Sequence, residues 1–282
     1  MSTLIKRHTI LFLKDKTSVF FSLLSVFIII ALYLLFLSEN ISSNLPEFDD
    51  RSSFVFLWMF AGIIAVTTAT AALGALGKFI EDKVSKIKDD FLITKITQQT
   101  LSYSYIIYTF VIGLFFTVLL LLFGYIYTFM TFDKAFIISL QLIIVVLLST
   151  LMHTLLFYLI TSSLKTMSAF SGLSTIVGTL IGFLAGIYIP IGLLPVYLQK
   201  IITLFPTTQA VVLLKNILMG DVLDSMESML PKEAYEEIVV MLGVTLQWNE
   251  QMLSPTFSYI YLISFTLILL VVVTVKNRKR TI

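Results

Sequence analysis

Residues 96–132, ITQQTLSYSYIIYTFVIGLFFTVLLLLFGYIYTFMTF, contain no charged side chain and are long enough to cross a bilayer as an α-helix. Five more long uncharged runs occupy 17–38, 52–77, 135–164, 166–199 and 251–275. A charge at mid-bilayer costs at least ~2.5 kcal/mol, so six such runs indicate membrane spans. The sequence therefore predicts one all-α membrane domain over 1–282, whose six transmembrane helices cover about 17–37, 53–77, 99–130, 135–164, 167–189 and 255–275.

Basic residues are distributed unequally between the two sides that six spans would define. Fourteen of the nineteen Lys and Arg residues lie before the first span, within 78–95, at Lys165 or after residue 275. The opposite side carries five basic residues and twelve acids. Loops rich in Lys and Arg stay in the cytoplasm. The sequence therefore predicts a multi-pass protein of the cell (plasma) membrane with both termini cytoplasmic.

Residues 2–15 are typical of a short amphipathic helix. Leu4, His8 and Phe12 fall on one face, while Lys6 and Lys14 fall on another. Such a helix lies in the membrane interface, with its basic face toward lipid phosphates. A solvated leader is the alternative, but the adjoining span favours the interfacial interpretation, with membrane lipid as a partner.

The segment 79–95 between the second and third spans predicts a second amphipathic helix, of mixed charge. Its apolar positions repeat at helical spacing, and acidic and basic residues fill the gaps. Mixed charge suits docking against another protein, because complementary pairs fix the register. A solvated connector resting on the bundle explains the pattern equally well. The candidate docking residues are Ile80, Glu81, Asp82, Lys83, Val84, Ile87 and Phe91.

Small and hydroxylated residues mark the second and fifth spans. Thr67 and Thr70 lie in a run of Thr and Ala, and four small residues recur every four positions in the fifth span: Ser174, Gly178, Gly182 and Gly186. This spacing lets helix backbones approach closely. Tight packing inside the bundle is the simpler interpretation; a dimer seam or a moving interface beside the transport pathway is the alternative.

The region 190–254 predicts an excursion on the outer side of the membrane. Pro190, Pro195 and Pro206 prevent one continuous helix, and the apolar pieces between them are too short to cross. We expect an outer re-entrant segment that acts as a lid, followed by an acidic extracellular insert over 220–252.

Residues suited to catalysis or ligand chemistry are scarce. The chain has no cysteine, which excludes disulfides and Cys-based metal sites. The sequence Gly74-Ala-Leu-Gly77-Lys78-Phe79 lacks the spacing and hydroxyl of a phosphate-binding loop. His153 is the one histidine inside a span, with no carboxylate in any span to exchange a proton with; a structural hydrogen bond is favoured over proton coupling. We expect no enzyme activity, cofactor, metal or nucleic-acid partner in this chain.

The order of these parts resembles the permease subunit of ABC-2 type transporters. Gly186-Ile-Tyr-Ile-Pro190, Leu194-Pro195 and Phe205-Pro206 are similar to a signature that follows the fifth span in drug and antimicrobial export permeases. Residues 76–105 look like the coupling-helix region of that subgroup. The resemblance implies two copies of a separate ABC ATPase that hold the ATP and Mg, a second permease subunit, identical or paralogous, and export as the direction of transport.

An ATP-independent secondary carrier, or a multi-span scaffold or sensor, is the alternative. Secondary carriers commonly show internal repeats with paired broken helices. Here only the region after the fifth span is broken, which favours the permease.

Overall fold

A computed structural model describes the backbone of residues 1–279 except Leu34, Phe36, Leu37, Asn44, Asp49 and Glu250, and the side chains of these residues except Ser25, Asn40 and Lys279. The end of the first predicted span, two of the predicted outer acids (Asp49 and Glu250) and the basic Arg280 therefore lie outside the described residues.

Helices dominate the described chain. The first seven are α1 (Ser2–Lys14), α2 (Lys16–Leu32), α3 (Ser38–Ser43), α4 (Arg51–Val84), α5 (Ile87–Ile93), α6 (Gln98–Phe132) and α7 (Leu140–Thr161). After α8 (Met167–Leu184) and a 3-10 turn at Ile191–Leu193 come α9 (Val196–Thr203), α10 (Pro206–Leu218), α11 (Gly220–Met229), α12 (Lys232–Met241), the strands β1 (Gln247–Trp248) and β2 (Gln251–Met252), and α13 (Pro255–Lys279). The two strands pair antiparallel as a small hairpin.

Five described helices are long and apolar enough to cross a membrane: α4, α6, α7, α8 and α13. All five fall on predicted spans. The regular part of α2 covers Lys16–Leu32 of the first predicted span. The helices α9 and α10 are bent by 89° at the break between them, as a broken span or re-entrant loop would be. The described residues thus form a polytopic helical bundle.

The helix α4 forms the centre of this bundle. Every residue of its most apolar stretch is buried, and it packs against α2, α6, α7, α8 and α10. Close approach depends on glycine: a Cβ on Gly124 would lie 2.0 Å from the Phe60 ring, and a Cβ on Gly74 would lie 2.3 Å from Cβ of Ser22. Small residues therefore set how closely α2 and α6 approach α4.

The helix α8 ends earlier than the predicted span 167–189 because its last turn is a glycine cap. Gly186 lies in the left-handed region (φ +62). Its N–H donates to the carbonyl of Phe183 (2.9 Å), and the N–H of Ile187 donates to Gly182 (3.0 Å). These two bonds are a Schellman motif, which closes a helix where a glycine accepts a positive φ. The chain then turns, instead of continuing through Tyr188 and Ile189.

The predicted helix 79–95 is divided in the structure. The central helix α4 continues without a break to Val84, and Lys86 adopts a left-handed conformation (φ 63) before α5 begins at Ile87. The first half of the predicted helix is therefore the last turn of α4, where Ile80 and Asp82 are buried. Only the second half is a separate short helix, of which no residue is fully buried.

The segment 190–219 has the predicted breaks, and its second half is buried in the bundle. Pro190 precedes the 3-10 turn, Pro195 precedes α9, and Pro206 is the first residue of α10. The helix α10 is the buried part of this bent pair. It packs against α4, α7 and α13, and nearly all of its residues are buried. Lys200, Lys215 and the prolines of the segment suggested an outer position, but the apolar faces of α10 are covered by three helices.

Two ends of the bundle can be distinguished by their charge. We call the end that holds α1, α5, the α7–α8 turn and the last turn of α13 the basic end. The other end, which holds α9, α11, α12 and the hairpin, is the acidic end.

Candidate functional site

A partly open cavity of about 710 Å³ lies between α2, α4 and α8, toward the basic end. Both apolar side chains and hydroxyl groups line the cavity. The hydroxyl groups belong to Ser18, Ser22, Thr70, Ser171, Ser174 and Thr175. Each of α2 and α8 packs on α4, but they make few contacts with each other. The cavity is the space left between them, and only 17% of the apolar stretch of α8 is buried.

The predicted pathway residues divide into two groups. Thr70, Ser174 and Gly178 line the cavity. Thr67 is buried and bonds within its own helix, to the carbonyl of Ile63 (2.8 Å). Gly182 and Gly186 belong to the cap of α8, and a Cβ on Gly182 would lie 2.3 Å from the ring of Tyr188. The close approach at Gly182 is therefore to the following turn of the same segment.

Three charged residues stand at the rim of the cavity. Lys78 lies 3.0 Å from Glu81 and 3.2 Å from Asp82. Asp15 caps α2: its carboxylate accepts hydrogen bonds from the hydroxyl and the N–H of Ser18 (2.7 and 3.1 Å). These bonds lower the pKa of Asp15, so the rim keeps a negative charge near neutral pH.

Behind Lys78 lies the Asp82 cluster, which consists of Arg7, His8, Lys78, Asp82 and Tyr105. The carboxylate of Asp82 is fully buried. It accepts hydrogen bonds from Arg7 (2.8 Å) and from the hydroxyl of Tyr105 (2.7 Å). Because α1, α4 and α6 each contribute a partner, the cluster holds these three helices together at the basic end.

His8 is buried in the same cluster. Its ring stacks on Tyr105 with centroids 4.1 Å apart, and its Nε2 lies 3.2 Å from the hydroxyl of Ser104. Burial, reinforced by the charge of Arg7, lowers its pKa to about 4. The imidazole is therefore neutral at physiological pH. The helix α1, predicted as an interfacial helix, thus also has a polar attachment to the bundle.

The predicted docking residues differ in exposure. Ile80 and Asp82 are buried, and Lys83 donates to the carbonyls of Ser162 (3.1 Å) and Leu164 in the α7–α8 turn. Ile87 and Phe91 are partly buried, whereas Glu81 and Val84 are exposed. The most exposed apolar side chain near them is Ile93, at 86%, which the sequence pattern did not single out.

His153 links three helices in the middle of the bundle. Its Nδ1 lies 3.0 Å from the hydroxyl of Thr68 on α4, and its Nε2 lies 2.9 Å from the hydroxyl of Thr207 on α10. Both ring nitrogens are therefore used in interhelical hydrogen bonds, as the structural interpretation of His153 expects. Among the described residues, no cluster of His, Asp or Glu could hold a metal ion.

A buried lysine at the acidic end was missed by sequence reasoning. Lys215 on α10 is fully buried and donates to the carbonyl of Leu242 (2.8 Å), at the end of α12. Its ammonium lies 4.7 Å from the centroid of the Trp58 ring, and the indole N–H donates to the same carbonyl (2.7 Å). The sequence signal that could have indicated its burial is a lysine within a run of apolar helical residues.

These features define a membrane-spanning helical protein with a cavity between its helices. A family model described as ABC-2 family transporter protein matches residues 34–275, and the chain belongs to this family. It is thus a membrane permease of an ABC transporter, a class that carries no catalytic site of its own and associates with an ABC ATPase subunit. Searches of curated proteins and of solved structures found no match.

Proposed function

We propose that the chain is the permease of an ABC exporter in the plasma membrane, with the basic end in the cytoplasm. The surplus of basic residues at that end supports this orientation. Two copies of the ATPase would bind ATP and Mg, and a second permease subunit, identical or paralogous, would complete the transmembrane unit. Export, and the drug and antimicrobial subgroup, are supported by the signature at Gly186–Pro190, Leu194-Pro195 and Phe205-Pro206.

The cavity between α2, α4 and α8 is the observation that carries this proposal. It lies toward the basic end, and its mixture of hydroxyls and apolar side chains suits an amphipathic molecule that enters from the cytoplasm or the inner leaflet. The largely uncovered α8 supplies one wall. A second permease subunit facing α8 would close the cavity into a pathway.

The docking site for the ATPase is assigned to α5 and its flanks instead of the whole segment 79–95. The acids Asp89 and Asp90 are exposed on α5, beside the apolar Leu92 and Ile93. A short helix with an exposed apolar end and charged sides offers both contact area and register to a partner.

The lid is retained in the proposal with a changed extent. Its outer part is the 3-10 turn and α9, where Val196 and Tyr197 are exposed. Its inner part is α10, which is fixed among α4, α7 and α13. Only the outer part is free to move when substrate leaves.

Purification of the tagged chain from its native membrane tests the function. An ABC ATPase should co-purify, and its rate of ATP hydrolysis should depend on the chain. Changing Asp89 and Asp90 to Lys should abolish the association, whereas the same change at Asp221 and Asp224, at the acidic end, should not. A chain that purifies alone and transports on an ion gradient would favour the secondary carrier.

Cysteine labelling tests the orientation, because the chain has no cysteine of its own. Tyr197→Cys should react with an impermeant thiol reagent added outside intact cells. Ile93→Cys should react only after the membrane is opened. The reverse pattern would overturn the topology and with it the direction of transport.

A further inference from the structure

Arg7 contacts two helices, α4 and α5, that follow each other in the chain across a short turn. Its Nη1 lies 2.8 Å from Oδ2 of Asp82 on α4, and its guanidinium carbon lies 5.1 Å from the centroid of the Phe91 ring on α5. One side chain on α1 therefore contacts both the body of the permease and the short exposed helix.

The two contacts differ in how firmly they are anchored. Asp82 is buried and also bound by Lys78 and Tyr105, so its position is fixed. The helix α5 has no fully buried residue, and Phe91 is its side chain that packs partly against the core. Arg7 is therefore one of the contacts that hold Phe91, whereas Asp82 keeps Lys78 and Tyr105 as partners when Arg7 is changed.

The chemistry of arginine suits this double contact. A planar guanidinium donates hydrogen bonds in its plane to a carboxylate while its face lies over an aromatic ring. Lysine keeps the charge that neutralises Asp82 but lacks the planar face. The two contacts of Arg7 can therefore be separated by substitution.

We propose that Arg7 is a positioning residue that couples α5 to the transmembrane bundle, so that movement of α5 is transmitted to α4 and the cavity. This inference rests on the proposed docking of an ATPase at α5. It gives α1 a role beyond lipid attachment. The neighbouring basic residue Lys6 is exposed and serves as the matched control.

The first measurement is the mobility of a spin label at Ile93→Cys in the full-length chain. Arg7→Lys and Phe91→Leu should each increase the mobility of the label. Phe91→Trp keeps an aromatic face for Arg7, so the label should stay as immobile as in the parent. Lys6→Met should also leave the mobility unchanged. Phe91→Leu leaves the Arg7–Asp82 pair intact, so the test does not depend on variants that disturb the fold.

The second measurement follows the cavity in the complex with the ATPase. Ser174→Cys should react with a thiol reagent at a rate that changes when ATP is added. In Arg7→Lys, where the changed residue lies on α1 outside the docking helix, the ATPase should stay bound, but the ATP-dependent change should fall severalfold; Lys6→Met should retain the change.

The outcomes separate the two proposals. If ATP does not change the labelling of Ser174→Cys with Arg7 intact, the proposed function of the cavity fails, and the role of Arg7 fails with it. If ATP changes the labelling equally in the parent and in Arg7→Lys, only the role of Arg7 is overturned. Equal effects of Lys6→Met and Arg7→Lys would instead reduce both residues to lipid anchors.

Discussion

The two ends of the bundle each bury an ionisable side chain, but they stabilise it in different ways. At the basic end, Asp82 is surrounded by the cations of Arg7 and Lys78 and by a phenol. At the acidic end, the described partners of Lys215 are neutral: backbone carbonyls at the end of α12 and the face of Trp58. The carbonyl end of a helix carries partial negative charge. A buried ionisable group thus needs suitably oriented dipoles or an opposite charge, and this protein uses both.

The difference predicts that the basic end is the more sensitive to loss of its buried charge. Asp82→Ala leaves Arg7 and Lys78 facing each other without the shared carboxylate, and removing one partner of a buried ion pair costs about 3–5 kcal/mol. Unfolding in mixed detergent micelles should show this loss. Glu81→Ala, at the exposed neighbouring position, should change the free energy of unfolding by less than about 0.5 kcal/mol. Equal effects would show that Asp82 is not buried as described.

Acid should weaken the basic end through His8. Its pKa is about 4 when folded, and about 6.5 in an unfolded chain. Between these values the unfolded chain binds a proton that the folded chain does not, so this contribution is fully present above pH 6.5 and is lost as pH falls.

The expected loss in stability by pH 4 is up to about 3 kcal/mol. Besides Asp82, the charged and titratable groups near His8 are Arg7, Lys78, Tyr105 and Tyr108. His8→Gln should flatten the fall in unfolding midpoint between pH 6.5 and 4. An unchanged pH profile in that variant would mean that His8 is accessible to protons in the folded protein.

Removing the buried lysine at the acidic end should lower the free energy of unfolding by less than Asp82→Ala does. Lys215→Met removes hydrogen bonds to carbonyls but also removes the cost of burying an ammonium, and Trp58 continues to donate to Leu242. We expect a loss of about 1–2 kcal/mol in the free energy of unfolding. Lys232→Met, at a side chain that is 85% exposed, is the control and should be neutral. A loss larger than that of Asp82→Ala would reverse the comparison between the two ends.

His153, which lies between the two ends, should give the smallest effect. A polar contact between helices in a membrane contributes about 0.6 kcal/mol on average, and Gln can keep one of the two bonds to Thr68 and Thr207. His153→Gln should therefore lower stability by about that amount and leave the pH profile of transport unchanged. A lost pH dependence in proteoliposomes would instead indicate proton coupling.

Several features of the fold followed from local sequence, and others did not. The breaks at Pro190, Pro195 and Pro206 coincide with helix starts in the structure, because proline restricts the backbone wherever it lies. The burial of α10 and of its Lys215 was not predicted, since the sequence shows Lys215 only as an interruption of an apolar run. The partners that allow Lys215 to be buried, Trp58 and Leu242, are distant in sequence.

For the docking segment 79–95 too, the sequence pattern predicted local structure but not tertiary contacts. The repeat of Ile80, Val84, Ile87 and Phe91 predicts one amphipathic helix, but the pattern cannot show where α4 leaves the bundle. The pattern also places Asp82 on the charged face of that helix. In the structure this carboxylate is buried, where it accepts a hydrogen bond from Arg7, a residue distant in sequence. Of the predicted pathway residues, Thr70, Ser174 and Gly178 share the cavity only because α2 and α8 both pack on α4.

The sequence by itself determined that this chain crosses a membrane as helices, where most of them lie, and which class of transporter it resembles. The first two properties follow from the exclusion of charge from hydrocarbon and from the backbone limits of proline, both of which act residue by residue. The class was given by the resemblance of the ordered parts to a known family. Only the tertiary structure decided which charges are buried, which face of α8 is left uncovered and what holds α5 to the bundle. Those properties depend on partners from distant segments, and the free energy of a buried charge is set by the partner that it meets.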